Sequence, residues 1–171
     1  FGNVYKITPE MFATWMEILK EIPNSVLWLI DDNPTTTTNL RAHAKAAKAD
    51  VSRILFTPRA AHAEYKAKLK LADVFLDTFP YNCGSTTNDV IQAGVPIVTM
   101  SGRTMVSRMG GGILSSINSL SLICTSYETY SEKVIHVSKN SKVLKEQLQE
   151  HKLLLVAKED YITILSKSGA K

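Results

Sequence analysis

The pattern of apolar positions near the start of the chain predicts an amphipathic helix that begins after Thr8. Apolar residues recur there at spacings of three and four, which places them on one helical face. Thr8 is a favourable N-cap residue, and Pro9 fits the first helical position, where its missing N–H group has no intrahelical partner to lose. Pro23 and Asn24 are expected to end the helix. The apolar positions are Met11, Phe12, Trp15, Ile18, Leu19 and Ile22.

Short apolar runs and longer helix-prone stretches alternate along the rest of the chain. Strands are predicted at residues 25–30, 53–56, 74–76 and 95–100, with a short apolar piece at 122–124. Helices are predicted at residues 40–49, 62–71, 87–93, 113–117, 127–139 and 142–155. The polar segment 31–39, with its four consecutive threonines, is predicted to be a surface loop.

This alternation predicts the α/β fold class. Strand–helix–strand units give parallel strands with helices packed on both faces, so the expected architecture is a Rossmann-like open parallel sheet. Ligands of such sheets bind outside the carboxyl ends of the strands. The loops to inspect are therefore those that directly follow strands, at residues 57–62, 77–87 and 101–112.

Composition narrows the class of protein. Hydrophobic residues make up 44% of the chain and charged residues 21%, which argues against a disordered or fibrous protein. The apolar runs are much shorter than the roughly 20 residues of a membrane-spanning helix. Two cysteines cannot build a disulfide framework and favour a reducing compartment. The four histidines show no metal-ligand spacing, so no metal site is expected.

The formal net charge is +4, from 20 basic and 16 acidic residues. This mild excess suits an anionic small molecule as readily as nucleic acid. The lysines between positions 133 and 152 fit the solvated faces of helices, so no nucleic-acid partner is expected.

The segment from Asp77 to Asp89 carries the clearest chemistry in the sequence. It leaves a predicted buried strand, passes through small residues and enters a helix, whose N-terminus presents free N–H groups to a phosphate. Gly84 allows close approach of the backbone, and the Ser85 and Thr86 hydroxyls add hydrogen-bond donors. Asp89 is placed to accept from ribose hydroxyls. An ordinary capped helix is the alternative, since neither of the common glycine-rich phosphate motifs is present.

Several stretches, in unbroken order, resemble the O-GlcNAc transferase family, which includes SPINDLY-type enzymes and bacterial adhesin glucosyltransferases. They are YKI at 5–7, PNSVLWL at 23–29, RILFTP at 53–58, LADVFLDTFPYN at 71–82, AGVPIVT at 93–99 and SR at 107–108. The resemblance implies a two-lobed GT-B glycosyltransferase fold. This chain corresponds to the C-terminal, donor-binding lobe of the catalytic region over residues 1–155, and a C-terminal helical tail is expected at 156–171.

The resemblance also implies roles for the residues at the diphosphate and the ribose. Lys6 matches the lysine that meets the donor diphosphate and helps the leaving group depart. Without this resemblance, the sequence favours reading Lys6 as a solvated surface lysine. Ser85 and Thr86 match the hydroxyl pair on the diphosphate, and Asp89 matches the carboxylate on the ribose.

Four further positions match the family's nucleotide contacts. Ala60 occupies the place where backbone atoms meet the base, and His62 stands where the family has another donor-binding basic residue. Tyr65 replaces a histidine that lies against uracil in the animal enzymes, and its ring can still stack on a base. Lys68 matches a basic position nearby.

The chain departs from the family pattern at several places. Gly84 stands where animal members carry histidine, and Cys83 stands where bacterial members carry glycine, so its thiol is expected to crowd the approach of phosphate. The glycines at 110–112 are expected to weaken the helix that follows them, by about 1 kcal/mol for each added glycine. Residues 118–121 lack the family's turn sequence.

Together these features predict a portion of a glycosyltransferase that binds a nucleotide-diphospho-sugar and transfers the sugar to protein Ser/Thr side chains. The expected donor is UDP-GlcNAc. The expected partners are an acceptor protein, an upstream catalytic lobe and tetratricopeptide repeats, with no membrane and no metal cofactor. The expected location is the cytoplasm, with the nucleus as a second compartment. Because the chain begins with Phe1, a missing upstream segment is expected.

Two alternatives remain open. One is a catalytically inactive nucleotide-binding or protein-interaction module derived from this lobe. The other is a structural α/β domain that binds no nucleotide.

Overall fold

Alternating strands and helices make up the computed structural model, which describes residues 3–146. The helices are α1 (Pro9–Glu21), α2 (Pro34–Ala46), α3 (His62–Leu69), α4 (Ser85–Gln92), α5 (Met109–Ser116) and α6 (Tyr127–Lys139). The strands are β1 (Leu27–Asp31), β2 (Ile54–Pro58), β3 (Phe75–Leu76), β4 (Ile97–Met100) and β5 (Ile123–Cys124). Short 3-10 turns lie at Val4–Lys6, Val51–Arg53 and Leu120–Leu122.

The first helix forms as its sequence predicts. The Thr8 hydroxyl oxygen accepts a hydrogen bond from the Met11 amide at 3.2 Å, and Pro9 opens the helix. The apolar face of α1 is buried and packs against α6. Local capping and hydrophobic periodicity therefore agree with the tertiary structure at this end of the chain.

The prediction of a surface loop at residues 31–39 is wrong, because α2 already begins at Pro34. The Asn33 side chain caps this helix by accepting from the Thr36 amide at 2.8 Å. The Thr37 hydroxyl donates to the Asp31 carboxylate at 2.7 Å, which satisfies a side chain of the threonine run locally. The Asn-Pro start signal outweighs the low intrinsic helix propensity of threonine.

Other predicted boundaries move by several residues. Helix α4 begins at Ser85 rather than at residue 87, so Ser85 and Thr86 lie in its first turn. Helix α5 begins at Met109, and the glycines at 110–112 lie inside this helix rather than before it. Residues 141–146 are helical, whereas the rest of the predicted 142–155 helix and the predicted tail at 156–171 lie outside the described residues.

Within residues 3–146, all strand pairs are parallel and form two hydrogen-bonded groups. One group is β1–β2, in which Leu27 pairs with Ile54 and Asp31 with Pro58. The other has the order β3–β4–β5, with Phe75 opposite Ile97. Helices α4, α5 and α6 contact β4, and α2 contacts β1. The loops that follow β3 and β4 leave the carboxyl ends of neighbouring parallel strands, where ligands of α/β folds bind.

A buried chain of polar groups ties the helices to the end of β3. The Trp15 indole N–H of α1 donates to the Tyr130 hydroxyl of α6 at 3.3 Å, and that hydroxyl donates to the Asp77 backbone oxygen at 3.0 Å. Tyr130 is fully buried, and burial raises its pKa well above 10.0, so the hydroxyl stays protonated and able to donate.

No helix among residues 3–146 is both long and apolar enough to cross a bilayer.

Replacing Tyr130 by phenylalanine is expected to lower the free energy of unfolding by about 1–2 kcal/mol, because two buried groups lose their partner. Urea titration measures the change. Tyr127→Phe is the control, since it preserves the edge-on contact with the Phe79 ring at 6.3 Å between centroids. Equal losses in the two variants would contradict a role for the Tyr130 hydroxyl.

Candidate functional site

A buried carboxylate organises the loop that follows β3, residues 77–83. Asp77 is 1% exposed, and its Oδ1 accepts from the Thr78 amide at 2.8 Å and the Cys83 amide at 2.7 Å. Its Oδ2 accepts from the Thr99 hydroxyl of β4 at 2.6 Å. Burial raises the pKa of the Asp77 carboxyl, although these donors act in the opposite direction. The carboxyl group thus joins both ends of the loop to β4.

Asn82 fixes the same loop from inside. Its Nδ2 donates to the Thr78 oxygen at 2.8 Å and to the Met100 oxygen at 3.1 Å. Its backbone amide donates to the Val106 oxygen at 3.0 Å. Asn82 is fully buried, and its Oδ1 is a buried acceptor without a hydrogen-bond partner among residues 3–146. Because of these bonds, the backbone of the 77–83 loop is held rigidly at the carboxyl end of the strands.

The loop leads into the N-terminus of α4. Gly84 is the N-cap residue and supplies no side-chain cap. The Thr87 hydroxyl donates a hydrogen bond to the Cys83 backbone oxygen at 2.8 Å. Ser85 is exposed and Thr86 partly buried. The first-turn N–H groups carry the positive end of the helix dipole, so this turn can accept an anion.

Lys6 reaches this loop from the other end of the sequence. It ends the 3-10 turn Val4–Lys6, and its Nζ donates to the Asn82 backbone oxygen at 3.1 Å. The same Nζ lies 4.1 Å from the centroid of the Tyr81 ring. A positive charge is therefore held at the Asn82 carbonyl, in the loop that leads into α4.

A second group of predicted residues meets between α3 and α4. Burial, and after it the charge of Asp89, raises the pKa of Tyr65 to about 12, although a hydrogen bond with Thr86 acts to lower it. The His62 ring stacks on the Tyr65 ring at 6.2 Å between centroids. The structure thus brings Tyr65, Thr86 and Asp89 together, with His62 at the exposed side.

Lys68 and Ala60 lie outside this group, and Asp89 has a further neighbour. Lys68 pairs with Glu64 on its own helix at 2.7 Å. Ala60 lies in the loop between β2 and α3 and is partly buried. Asp89 lies 3.6 Å from the Lys66 ammonium group, a pairing that the sequence did not suggest. A ligand that uses Asp89 therefore meets a neighbouring positive charge as well.

Two departures from the family pattern have a structural explanation. The Cys83 side chain is 1% exposed, and burial followed by the charge of Asp77 raises the pKa of its thiol to about 12. The thiol is therefore neutral and belongs to the core. At Gly84, an added Cβ atom would lie 2.5 Å from the Met109 methyl group, so a side chain there requires Met109 to move.

Sequence reasoning missed Tyr81, Asn82 and Lys66 as parts of the site, and it did not assign a role to Asp77. A carboxylate that directly follows a buried strand was the available signal for Asp77. The contacts of Tyr81 and Asn82 with Lys6 depend on tertiary structure and left no local pattern.

Among the described residues, no group of histidine, cysteine, aspartate or glutamate side chains is arranged to hold a metal ion.

A family model and curated proteins that match most of this chain are all glycosyltransferases. The model of glycosyl transferase family 41 matches residues 1–159. The chain is 35% identical over 151 residues to the probable UDP-N-acetylglucosamine–peptide N-acetylglucosaminyltransferase SEC of Arabidopsis thaliana, covering 88% of this chain and 16% of that protein. It is 32% identical over 130 residues to the corresponding Caenorhabditis elegans transferase, covering 76% of this chain and 11% of that protein.

A solved structure shares the fold. A mutant of Thermobaculum terrenum O-GlcNAc transferase superimposes with a TM-score of 0.84 at 25% identity, covering 89% of this chain and 30% of that chain. The chain thus spans a small part of the length of each relative, between 11% and 16% of the two curated proteins.

Proposed function

The chain belongs to glycosyl transferase family 41, and we propose that it is the donor-binding lobe of a protein glycosyltransferase. The proposed donor is UDP-GlcNAc and the proposed acceptors are Ser and Thr side chains of proteins. One observation carries the proposal: Lys6 donates to the Asn82 oxygen at 3.1 Å, beside the N-terminus of α4. Positive charge and free N–H groups then converge on one place, as a diphosphate requires.

In this proposal, the diphosphate lies on the first turn of α4. The amides and hydroxyls of Ser85 and Thr86 donate to its oxygens, and Gly84 allows the backbone to come close. Lys6 lies at the oxygens whose negative charge grows as the sugar–phosphate bond breaks. A fixed ammonium group there stabilises the leaving nucleotide more than the intact donor, which lowers the barrier to transfer.

The nucleoside is proposed to lie along α3. Tyr65 and His62 form a short stack of rings against which a base can pack. Asp89, on the neighbouring helix, is close enough to Tyr65 to raise its pKa, so a ribose bound beside that base can donate to the carboxylate. Ala60 and Lys68 flank this region in the proposal.

The rest of the proposed machinery comes from other parts of a longer protein. An upstream catalytic lobe would complete the cleft, exclude water and place the acceptor, and tetratricopeptide repeats would bind the acceptor protein. The proposed reaction uses no metal cofactor, because Lys6 and the α4 N-terminus supply the positive charge. The proposed compartments are the cytoplasm and the nucleus, and nucleic acid is not a proposed partner.

Isothermal titration calorimetry of the chain with UDP tests the donor site. We expect saturable binding that Lys6→Met weakens about tenfold, because one charge-assisted hydrogen bond to the diphosphate is lost. Uridine, which lacks phosphate, is expected to bind more weakly and with equal affinity to both proteins. Lys70→Met, at an exposed lysine that follows α3, is the matched charge control and is expected to bind UDP like the wild type.

No binding of UDP or GDP at millimolar concentration would contradict the proposal. A catalytically inactive binding module remains a second candidate, since it predicts the same UDP titration. Turnover in a longer chain that carries the upstream lobe separates the two candidates. If the chain is part of an enzyme, we expect the wild type to transfer the sugar and Lys6→Met to abolish transfer. If it is an inactive module, we expect no transfer from the wild type or from Lys6→Met.

A further inference from the structure

We propose that Tyr81 is a positioning residue for Lys6, with a ring that holds the lysine ammonium group in place for the donor diphosphate. This inference rests on the proposed function of Lys6. A lysine side chain is a flexible stem with many rotamers, so its charge is spread over a large volume unless neighbouring groups fix it. The structure supplies two such groups, the Tyr81 ring and the Asn82 backbone oxygen.

The geometry of these two contacts leaves part of the ammonium group available. The Tyr81 ring centroid lies 4.1 Å from Nζ, well inside the range of a cation–π contact. The Asn82 oxygen accepts one N–H bond at 3.1 Å. An ammonium group has three N–H bonds, so with one on the carbonyl and one facing the ring, the third can point to an anion.

Tyr81 is itself held by its neighbours. The Thr78 hydroxyl donates to the Tyr81 backbone oxygen at 2.7 Å, and Asn82, the next residue, is bonded to both the loop and β4. The Tyr5 ring approaches the Tyr81 ring edge-on, at 6.4 Å between centroids. The Tyr81 ring that contacts Lys6 is therefore held by the hydrogen-bonded 77–83 loop, which begins at the buried Asp77.

Core packing does not explain this aromatic pair. Tyr5 is 69% exposed and Tyr81 is 42% exposed, so the two rings bury little surface in the described structure. Exposed aromatic residues of this kind stabilise the fold weakly. Lys6 is a neighbour of both tyrosines. It follows Tyr5 in the sequence, and its ammonium group contacts the Tyr81 ring.

Two variants of Tyr81 separate the ring face from the side-chain bulk. Tyr81→Phe retains the aromatic face, whereas Tyr81→Leu removes it and leaves an apolar side chain. We expect Tyr81→Leu to weaken UDP binding about three- to fivefold, because the ammonium group is no longer held, and Tyr81→Phe to bind like the wild type. Both variants are expected to bind uridine with unchanged affinity.

NMR supplies a readout that a merely structural role would not move. The ε-methylene protons of Lys6 are expected upfield of those of exposed lysines in the wild type and in Tyr81→Phe, because they lie over the ring, and at ordinary shifts in Tyr81→Leu. Thermal melting is expected to be unchanged in both variants, given the exposure of Tyr81. The wild-type Lys6 shift tests the contact even if a variant fails to fold.

The possible failures are distinguishable. If Tyr81→Leu binds UDP as tightly as the wild type while Lys6→Met binds it weakly, the positioning role is wrong and the donor site stands. An ordinary Lys6 shift in the wild-type protein also overturns the positioning role. If the wild type does not bind UDP, both the donor site and the positioning role are wrong.

Discussion

Replacing Asp77 by alanine is expected to lower the free energy of unfolding by about 3–5 kcal/mol. The variant leaves the buried amides of Thr78 and Cys83 without an acceptor, and each buried, unpaired donor costs about 1–3 kcal/mol. The Thr99 hydroxyl loses its acceptor as well. Urea denaturation followed by circular dichroism measures the loss. UDP binding is expected to fall with it, since the 77–83 loop positions Asn82 and the start of α4.

Asp77→Asn is expected to retain most of the stability. The amide oxygen can accept from the same two backbone N–H groups, and the amide nitrogen can donate to the Thr99 hydroxyl oxygen. Asp73→Ala is the surface control, because the Asp73 side chain is 73% exposed and pairs only with the Lys145 ammonium group at 3.5 Å among the described residues. We expect it to change the free energy of unfolding by less than about 0.5 kcal/mol.

The pH dependence of these variants follows from the raised pKa of the Asp77 carboxyl. The native state holds this proton more tightly than the unfolded chain, so the contribution of the group is fully present below its unfolded pKa. It is lost as the pH rises through the native pKa. Wild-type stability is therefore expected to fall relative to Asp77→Asn as the pH rises from the ordinary aspartate pKa of about 4 through the raised native pKa of Asp77. A wild type that gains on the asparagine variant over that range would contradict the raised pKa.

Features that depend on local sequence could be predicted. The Thr8 cap and the helix after it, the parallel strands and the helix that follows the 77–83 loop all come from capping, periodicity and strand–helix alternation. The family could be recognised because several motifs keep their order along most of the chain, and the comparisons confirm this assignment. The fold was therefore within reach of the sequence.

Two kinds of feature were not predicted: one local helix start signal that was overlooked, and the contacts that depend on long-range packing. The threonine run looked like a loop because threonine has a low helix propensity, yet the Asn33 cap and Pro34 begin a helix there. The contact of Lys6 with Asn82 joins residues 76 positions apart and has no local signal. The roles of the individual site residues in donor binding stay predictions, which the UDP titrations address.

The glycines at 110–112 show how one local signal can have different structural causes at adjacent positions. All three lie in the first half of α5, where glycine lowers helix stability relative to alanine. At Gly110, an added Cβ atom would lie 2.5 Å from the Asp77 Oδ2 and 2.7 Å from the Thr99 hydroxyl oxygen. At Gly112, an added Cβ atom would have no neighbour within 4 Å among the described residues, apart from the adjacent residues and the helix backbone. Gly110 thus allows α5 to pack over the buried carboxyl group, whereas Gly112 has no such neighbour.

Gly110→Ala is accordingly expected to lower the free energy of unfolding by about 2–3 kcal/mol, because two buried side chains must shift and their hydrogen bond is strained. Gly112→Ala is the matched control and is expected to raise it by about 0.5–1 kcal/mol, through the lower entropy of the unfolded chain. Chemical denaturation of both variants measures the difference. A stabilising Gly110→Ala would show that α5 does not press on Asp77, and the close packing that holds the 77–83 loop would then need another explanation.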